Sequence, residues 1–395
     1  MYLTSFIHRK ELLDIAERWF WGKPDAADAL KLTQIFISDG YVIGETLDSV
    51  IDRYLGIIYP HSFRKARIRT KGELRDVICG SSHGYTPRVE FLCSNYRKNP
   101  EYYYQQAPIN GVLCIDDFGR LLGSYRIKRP RRIAEKANRR IAQWIFGTVQ
   151  EEARMMAQIR AMISGVPLEG LLTSEAEMVR EFVEAEEIIA GSFRAGAILF
   201  DREAITINDV GGIKILGEED DLRRVEETLR ADPSIKVLDR EDYRGDYEAT
   251  SLVLEIPWDP GAICRKYRES RHWEKYFNRG IPESELIKGL EPLLEGAEPR
   301  INIELILSTY GAMVESELGN SIHEERIIAQ RDSRVYKGYI PMNVEFLLEY
   351  LFAVGFSPGM NIEPLPIKLW GRYLPDTLVM YIRRLYRLPE FDLFY

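Results

Sequence analysis

The sequence has no Cys-x-x-Cys pair, no apolar leader, no uninterrupted apolar run near membrane length, no internal repeat and no excess of positive charge. Each absence excludes something. The four cysteines, Cys79, Cys93, Cys114 and Cys264, have spacings that fit neither a zinc site nor a disulfide framework in a chain of 395 residues, and they are read as reduced thiols. The longest apolar runs, Ala197 to Phe200 and Tyr350 to Val354, fall far short of the roughly 20 residues a membrane span requires. Export is not expected, because Glu11, Asp14 and Glu17 interrupt the opening stretch that a secretory signal would keep apolar. Lys and Arg number 53 against 61 Asp and Glu, a formal charge of −8, which argues against a surface coated for non-specific nucleic-acid binding. A soluble cytoplasmic protein is the expectation.

What is present is an ordinary globular composition, 45% apolar and 29% charged, in a length that at roughly 150 residues per domain makes two or three units. Apolar positions recur at three and four in ELLDIAERWFW and ETLDSVIDRYLGII, so residues 9–58 are read as helices. The basic cluster HSFRKARIRTK is read as a solvated loop, with an acceptor-binding surface for RNA or nucleotide as its alternative. The run Tyr102 to Tyr104 is read as packing rather than a base-stacking platform. GVLCIDDFGRLLGSYRI reads as two strands around an Asp-Asp-Phe-Gly turn, and the helical period returns from Pro130 to about Ala190, broken at Gly165 and Pro167. Beyond Ala197, AILF, AITIND, GIKIL, IKVLD, TSLVLEI and INIELIL are short β-prone segments among turns and helices. The fold class that follows is α+β: a mixed central sheet of about five strands surrounded by helices.

Three segments stand out chemically. INIELILSTYGAMVESELGNSIH puts Glu304 at the centre of a strand and Thr309 at its end, with Glu317, Leu318, Gly319 and His323 following on a helix. INDVGGIKIL opens an apolar strand with Asp209 and carries Lys214. YRIKRPRRIAEK runs from a strand into a helix and carries Arg126, Lys128 and Lys136. A fourth and weaker segment, YRGDYEATSLVLEI, sets Tyr247 before a strand. Singly, each has a plain reading: Asp209 as a turn or cap residue, Glu304 as the outward residue of an alternating strand, the basic run as a solvated helix face, Tyr247 as a half-buried aromatic.

Together these segments resemble the RelA/SpoT-like nucleotidyltransferase domain, the alarmone synthetase or GTP pyrophosphokinase module that moves pyrophosphate from ATP to a nucleotide 3′-hydroxyl. The resemblance spans roughly Gly123 to Gln330. It implies that Glu304 is the catalytic glutamate, that Asp209 binds magnesium with Glu304 as companion, that Arg126, Lys128, Lys136 and Lys214 contact phosphates, and that Tyr247 stacks on the acceptor base. ATP and GDP or GTP would be the substrates. Several positions depart from the family's pattern. Arg132 stands where a serine is usual, Ile306 and Ser308 where Gln and Arg are usual, and Lys214 where Arg is usual; Lys136 and Asp209 are 73 residues apart, longer than usual. None of the five histidines is followed by Asp, so the hydrolase half of the long family members is not expected.

The chemistry agrees with such a set. Pyrophosphoryl transfer calls for a divalent cation, magnesium prefers one or two carboxylates completed by water and phosphates, and Asp209 and Glu304 can supply them if their strands are neighbours. Positioning and charge stabilisation by Arg126 and Lys128 would do most of the rest. The expected layout is a mostly helical region over 1–110, the nucleotidyltransferase domain over 111–330 with a helical insertion around 140–192, and a helical appendage over 331–395. Two alternatives keep the residues and change the outcome: tRNA as the acceptor at its 3′ end, or a catalytically decayed protein that binds nucleotide for regulation. Oligomeric state is not legible.

Overall fold

Seven strands join one sheet in the computed structural model, which describes residues 1–245, 248–319, 325, 328, 339–373, 380 and 381. In chain order the strands are β1 (Tyr2–Leu3), β2 (Phe63–Thr70), β3 (Pro108–Asp116), β4 (Leu121–Ile127), β5 (Thr206–Ile207), β6 (Gly211–Leu216), β7 (Lys236–Tyr243), β8 (Ala249–Pro257) and β9 (Arg300–Ser308). The large sheet runs β2-β3-β4-β6-β9-β8-β7, and β1 pairs separately with β5. Within the large sheet only β6 and β9 are parallel; every other neighbouring pair is antiparallel. The α+β class therefore stands, and the sheet is larger than the five strands expected.

The helices are α1 (Arg9–Phe20), α2 (Asp28–Ile58), α3 (Lys71–Gly80), α4 (Pro87–Lys98), α5 (Pro130–Ile163), α6 (Glu175–Arg194), α7 (Glu219–Ala231), α8 (Pro260–Glu269), α9 (Glu283–Leu286), α10 (Tyr310–Leu318) and α11 (Tyr339–Val354). The break at Gly165 and Pro167 falls between α5 and α6.

The additional edge strand is β2, the basic segment read as a loop. An edge strand has one neighbour, so its outward positions tolerate charge: Arg64, Lys65, Arg67 and Arg69 are exposed while Ile68 is buried beside half-buried Ala66. The charges hid the period. Conversely Ala197 to Phe200 forms no strand; Phe200 is buried, with its ring 5.2 Å from Phe20 and 5.0 Å from Trp144.

Alternation along the strands divides the core into two layers. Leu122, Ile213, Ile215, Ile303, Leu305 and Leu307 belong to one cluster with α1, α2, α5 and α11. Leu113, Ile115, Leu121 and Leu216 belong to a second with α3, α4 and α10. Each such side chain stabilises the fold by about 1.5–3 kcal/mol when fully buried. The second layer covers the β2-β3-β4 end of its face. Toward β7 the same face carries exposed Asp239 and Glu241 and half-buried Val253.

Two local signals set up this cover. Thr70 and Glu73 form a capping box that turns β2 directly into α3, and Thr309 accepts from the Ala312 N–H at 3.2 Å, turning β9 directly into α10. Gly123 on β4 is a close-approach position. A Cβ there would lie 2.6 Å from the Lys214 carbonyl oxygen on β6. Gly123→Ala is therefore expected to cost about 1–3 kcal/mol, read as a lower midpoint in urea denaturation, because the atom it meets is backbone and cannot rotate away.

Candidate active site

The central strands bring the singled-out residues together. β4 pairs with β6 and β6 with β9, in a register that puts Arg126 opposite Gly212 and Gly212 opposite Glu304. Because side chains alternate, Arg126, Gly212, Lys214 and Glu304 share one face of the sheet. Glycine at 212 leaves the Glu304 carboxylate lying over the strand, with Oε2 3.5 Å from where a Cβ would be. Lys128 continues past the end of β4, and its N–H donates to the Val210 carbonyl at 2.8 Å, fixing it beside the turn that holds Asp209.

Lys128 Nζ lies 2.7 Å from Asp209 Oδ2 and 3.9 Å from Glu304 Oε2. Lys136, in the second turn of α5, pairs with the same Asp209 carboxylate. Two carboxylates and two ammonium groups from three separate segments thus meet at one point. Their side chains are between 14% and 30% exposed, enough shelter to strengthen charge interactions and enough access for a ligand. Burial opposes ionisation of Asp209, but Lys128 and Lys136 outweigh it and hold the carboxyl well below the usual carboxylate range. Burial pushes the Lys128 ammonium down to about 8, against the pull of Asp209.

Arg126 has no hydrogen bond or ion pair among the described residues. Lys214 is directed into the layer beneath α10, with Nζ 3.4 Å from Met313 Sδ, and burial pushes it down to about 8 against the pull of Glu317. Glu317 is itself buried. Its carboxylate accepts from Lys71 Nζ at 2.7 and 2.9 Å, Arg75 Nε donates to its carbonyl at 3.0 Å, and Arg75 Nη2 lies 3.4 Å from Oε2. Burial would raise the Glu317 carboxyl, but Lys71 and Arg75 bring it down to about 2. A cavity of about 60 Å³ between these groups is lined by Arg126, Lys214, Glu304, Ile306, Met313 and Glu317. It has room for a few water molecules.

The departures from the expected pattern each have a structural setting. Arg132 pairs with Glu135 at 2.9 Å, one turn from Lys136. Ser308 donates to the Glu248 carbonyl at 3.3 Å, and Ile306 lines the small cavity. Tyr247 and His323 lie outside the described residues. The basic segment of β2 is split by the strand's alternation, with Arg64 on one face and Lys65 and Arg67 on the other. Lys65 is neutralised by Asp48 at 2.6 Å and Asp52 at 2.7 Å. Lys71 and Arg75 were not singled out in the sequence; their i,i+4 spacing at the start of α3 is the signal that puts both on the face meeting Glu317.

Among the described residues, no group of three or more His, Cys, Asp or Glu side chains is placed to hold a metal ion. The pair Asp209 and Glu304, converging on the Lys128 ammonium, nevertheless fits the one or two carboxylates magnesium takes when water and phosphate complete its shell. No helix of the described residues is long and apolar enough to cross a membrane, and all four cysteines are free and buried.

Neither a protein-family description nor a curated protein matches this sequence. Among solved structures, the small alarmone synthetase 1 from Bacillus subtilis is similar to it at 16% identity, over 42% of this chain and 66% of that one, with a TM-score of 0.20. The overlap is partial for both chains, and at that level of similarity the site's own geometry has to carry the functional reading.

Proposed function

We propose that the chain is a magnesium-dependent pyrophosphokinase that transfers the β,γ-pyrophosphate of ATP to the 3′-hydroxyl of GDP or GTP. One observation carries the reading: Lys128 Nζ sits 2.7 Å from Asp209 and 3.9 Å from Glu304, so a carboxylate on β9 and one in the turn leading into its neighbour β6 share one cation position. In the transfer, the acceptor 3′-oxygen forms a bond to the β-phosphorus, the bond from that phosphorus to the α,β-bridging oxygen breaks, and AMP leaves with the bridging oxygen. Asp209 and Glu304 would hold magnesium, which neutralises phosphate charge when bound. Glu304 would also take the proton from the 3′-hydroxyl. Arg126, which has no partner among the described residues, and Lys136 are the cations available to the transferring phosphates.

The small cavity cannot hold a nucleotide, so substrates would approach Glu304 from the β9-β8-β7 side of the face, where Asp239 and Glu241 are exposed. The test is thin-layer separation of products after incubating the protein, magnesium and γ-labelled ATP with GDP, GTP or uncharged tRNA. Label on GDP or GTP is expected. Label on tRNA alone would reassign the acceptor, and ATP binding without transfer to any acceptor would reduce the protein to a nucleotide binder.

A further inference from the structure

The opposite face of the sheet holds a much larger space, which touches the candidate active site at Lys128. A cavity of about 500 Å³ lies between α2, the end of β4, the start of α5 and α11. That volume falls in the range of small-molecule sites. Much of its wall is aromatic, from Phe36, Tyr41, Tyr125, His272, Tyr276 and Phe352. The carboxylates of Glu45 and Asp48 border it together with Lys128 and Arg129. Phe36 and Phe352 stack with centroids 5.1 Å apart and planes 14° from parallel, while His272 lies 4.5 Å from the Tyr41 ring, so flat surfaces line two sides.

Three details mark this space as built for an occupant. Gly40 and Gly44 line it one helical turn apart inside α2, where each costs about 1 kcal/mol relative to alanine. Neither glycine is required by packing: a Cβ at Gly40 would meet nothing within 4 Å, and one at Gly44 would meet only Ile127 Cδ1 at 4.0 Å. What their lack of side chains provides is room. Second, Tyr41 is 8% exposed and its hydroxyl has no partner in good hydrogen-bond geometry among the described residues, with Glu45 and Ser270 near enough to interact only weakly. A buried hydroxyl left unbonded is a cost that an incoming polar group would remove. Third, the cavity reaches the N-terminus of the 34-residue α5, whose cap residue Arg129 makes no side-chain cap and no ion pair among the described residues. The Arg129 guanidinium, unpaired among the described residues, lies with the positive end of the helix dipole and suits an anion.

We propose that this cavity binds a planar heteroaromatic ring carrying an anionic group, a purine nucleoside monophosphate by size, with the ring among Phe36, Tyr41, His272 and Phe352 and the phosphate at Arg129. The site meets the Asp209–Glu304 cluster at Lys128, which borders both, and it stands whether or not pyrophosphate is transferred.

The test is calorimetric titration of the full chain with AMP and GMP, and in parallel with guanosine and with ribose 5-phosphate. Binding of a monophosphate is expected, with both half-ligands weaker by at least about tenfold, since each keeps one set of contacts. Gly40→Leu fills the space while improving helix propensity, so it is expected to fold and to lose binding at least about tenfold. Tyr41→Phe is expected to raise the melting temperature by about 2 °C while weakening binding about fivefold, a pairing that a purely structural hydroxyl would not give. Glu304→Gln leaves binding unchanged. The proposal is overturned if neither monophosphate binds at millimolar concentration, if Gly40→Leu binds as well as the original chain, or if Glu304→Gln rather than Gly40→Leu abolishes binding.

Discussion

Glu304→Gln is expected to lower pyrophosphoryl transfer by about 10²–10⁴-fold, the range for losing general-base catalysis, with any lost metal contact adding to it. The substitution keeps the volume and hydrogen-bonding shape of the side chain and removes only its charge. Stability should barely move. The carboxylate is 21% exposed, its nearest cation is 3.9 Å away, and Ile303 and Leu305, which anchor β9, belong to the other face. A loss of transfer with an unchanged denaturation midpoint therefore reports chemistry rather than folding. Asp209→Asn is a less clean probe, because it leaves Lys128 and Lys136 facing one another at short range with their shared counter-ion gone. Undiminished transfer by Glu304→Gln, measured from γ-labelled ATP to whichever acceptor the original chain uses, would exclude the proposed mechanism.

How much of this was legible beforehand follows from the kinds of signal each part carries. The alternation of INIELIL is a clean period of two, and Ile301, Ile303, Leu305 and Leu307 are buried on one side as it requires, leaving Glu304 on the other. Asp209 and Lys128 lie at strand ends that were recognisable as apolar runs meeting turns. That the two strands are parallel neighbours is a long-range fact, set by the crossover through α7, β7 and β8, and nothing local to either strand encodes it. β2 was hidden because edge strands carry charge, and the aromatic cavity because its walls come from residues near 36, 125, 272 and 352. Glu317 stood out in the sequence, but its buried partners Lys71 and Arg75 were hidden for a related reason. Charges far apart in sequence give no period at all, and the helix faces that hold them read as solvated.

Glu317→Gln is expected to cost about 3–5 kcal/mol of stability, the usual penalty for removing one partner of a buried ion pair. The carboxylate is enclosed with Lys71 at 2.7 Å and Arg75 at 3.4 Å, and Lys214 lies in the same layer, so neutralising it removes negative charge from among three cations in a space that holds only a few waters. The same group predicts a pH dependence of known sign. Its carboxyl is held at about 2 in the folded chain against 4.5 for the free group, so its contribution is fully present above pH 4.5 and is lost as pH falls toward 2. Urea denaturation of the two proteins should therefore show a gap that is constant near neutrality and narrows steadily below pH 4.5, because protonated Glu317 and the glutamine that replaces it withdraw the same negative charge from the same cations. A gap that stayed constant down to pH 3 would mean the Glu317 charge does not hold α10 against α3, and that the cover over the Glu304 face is held by the apolar contacts of Tyr310, Met313 and Val314 alone.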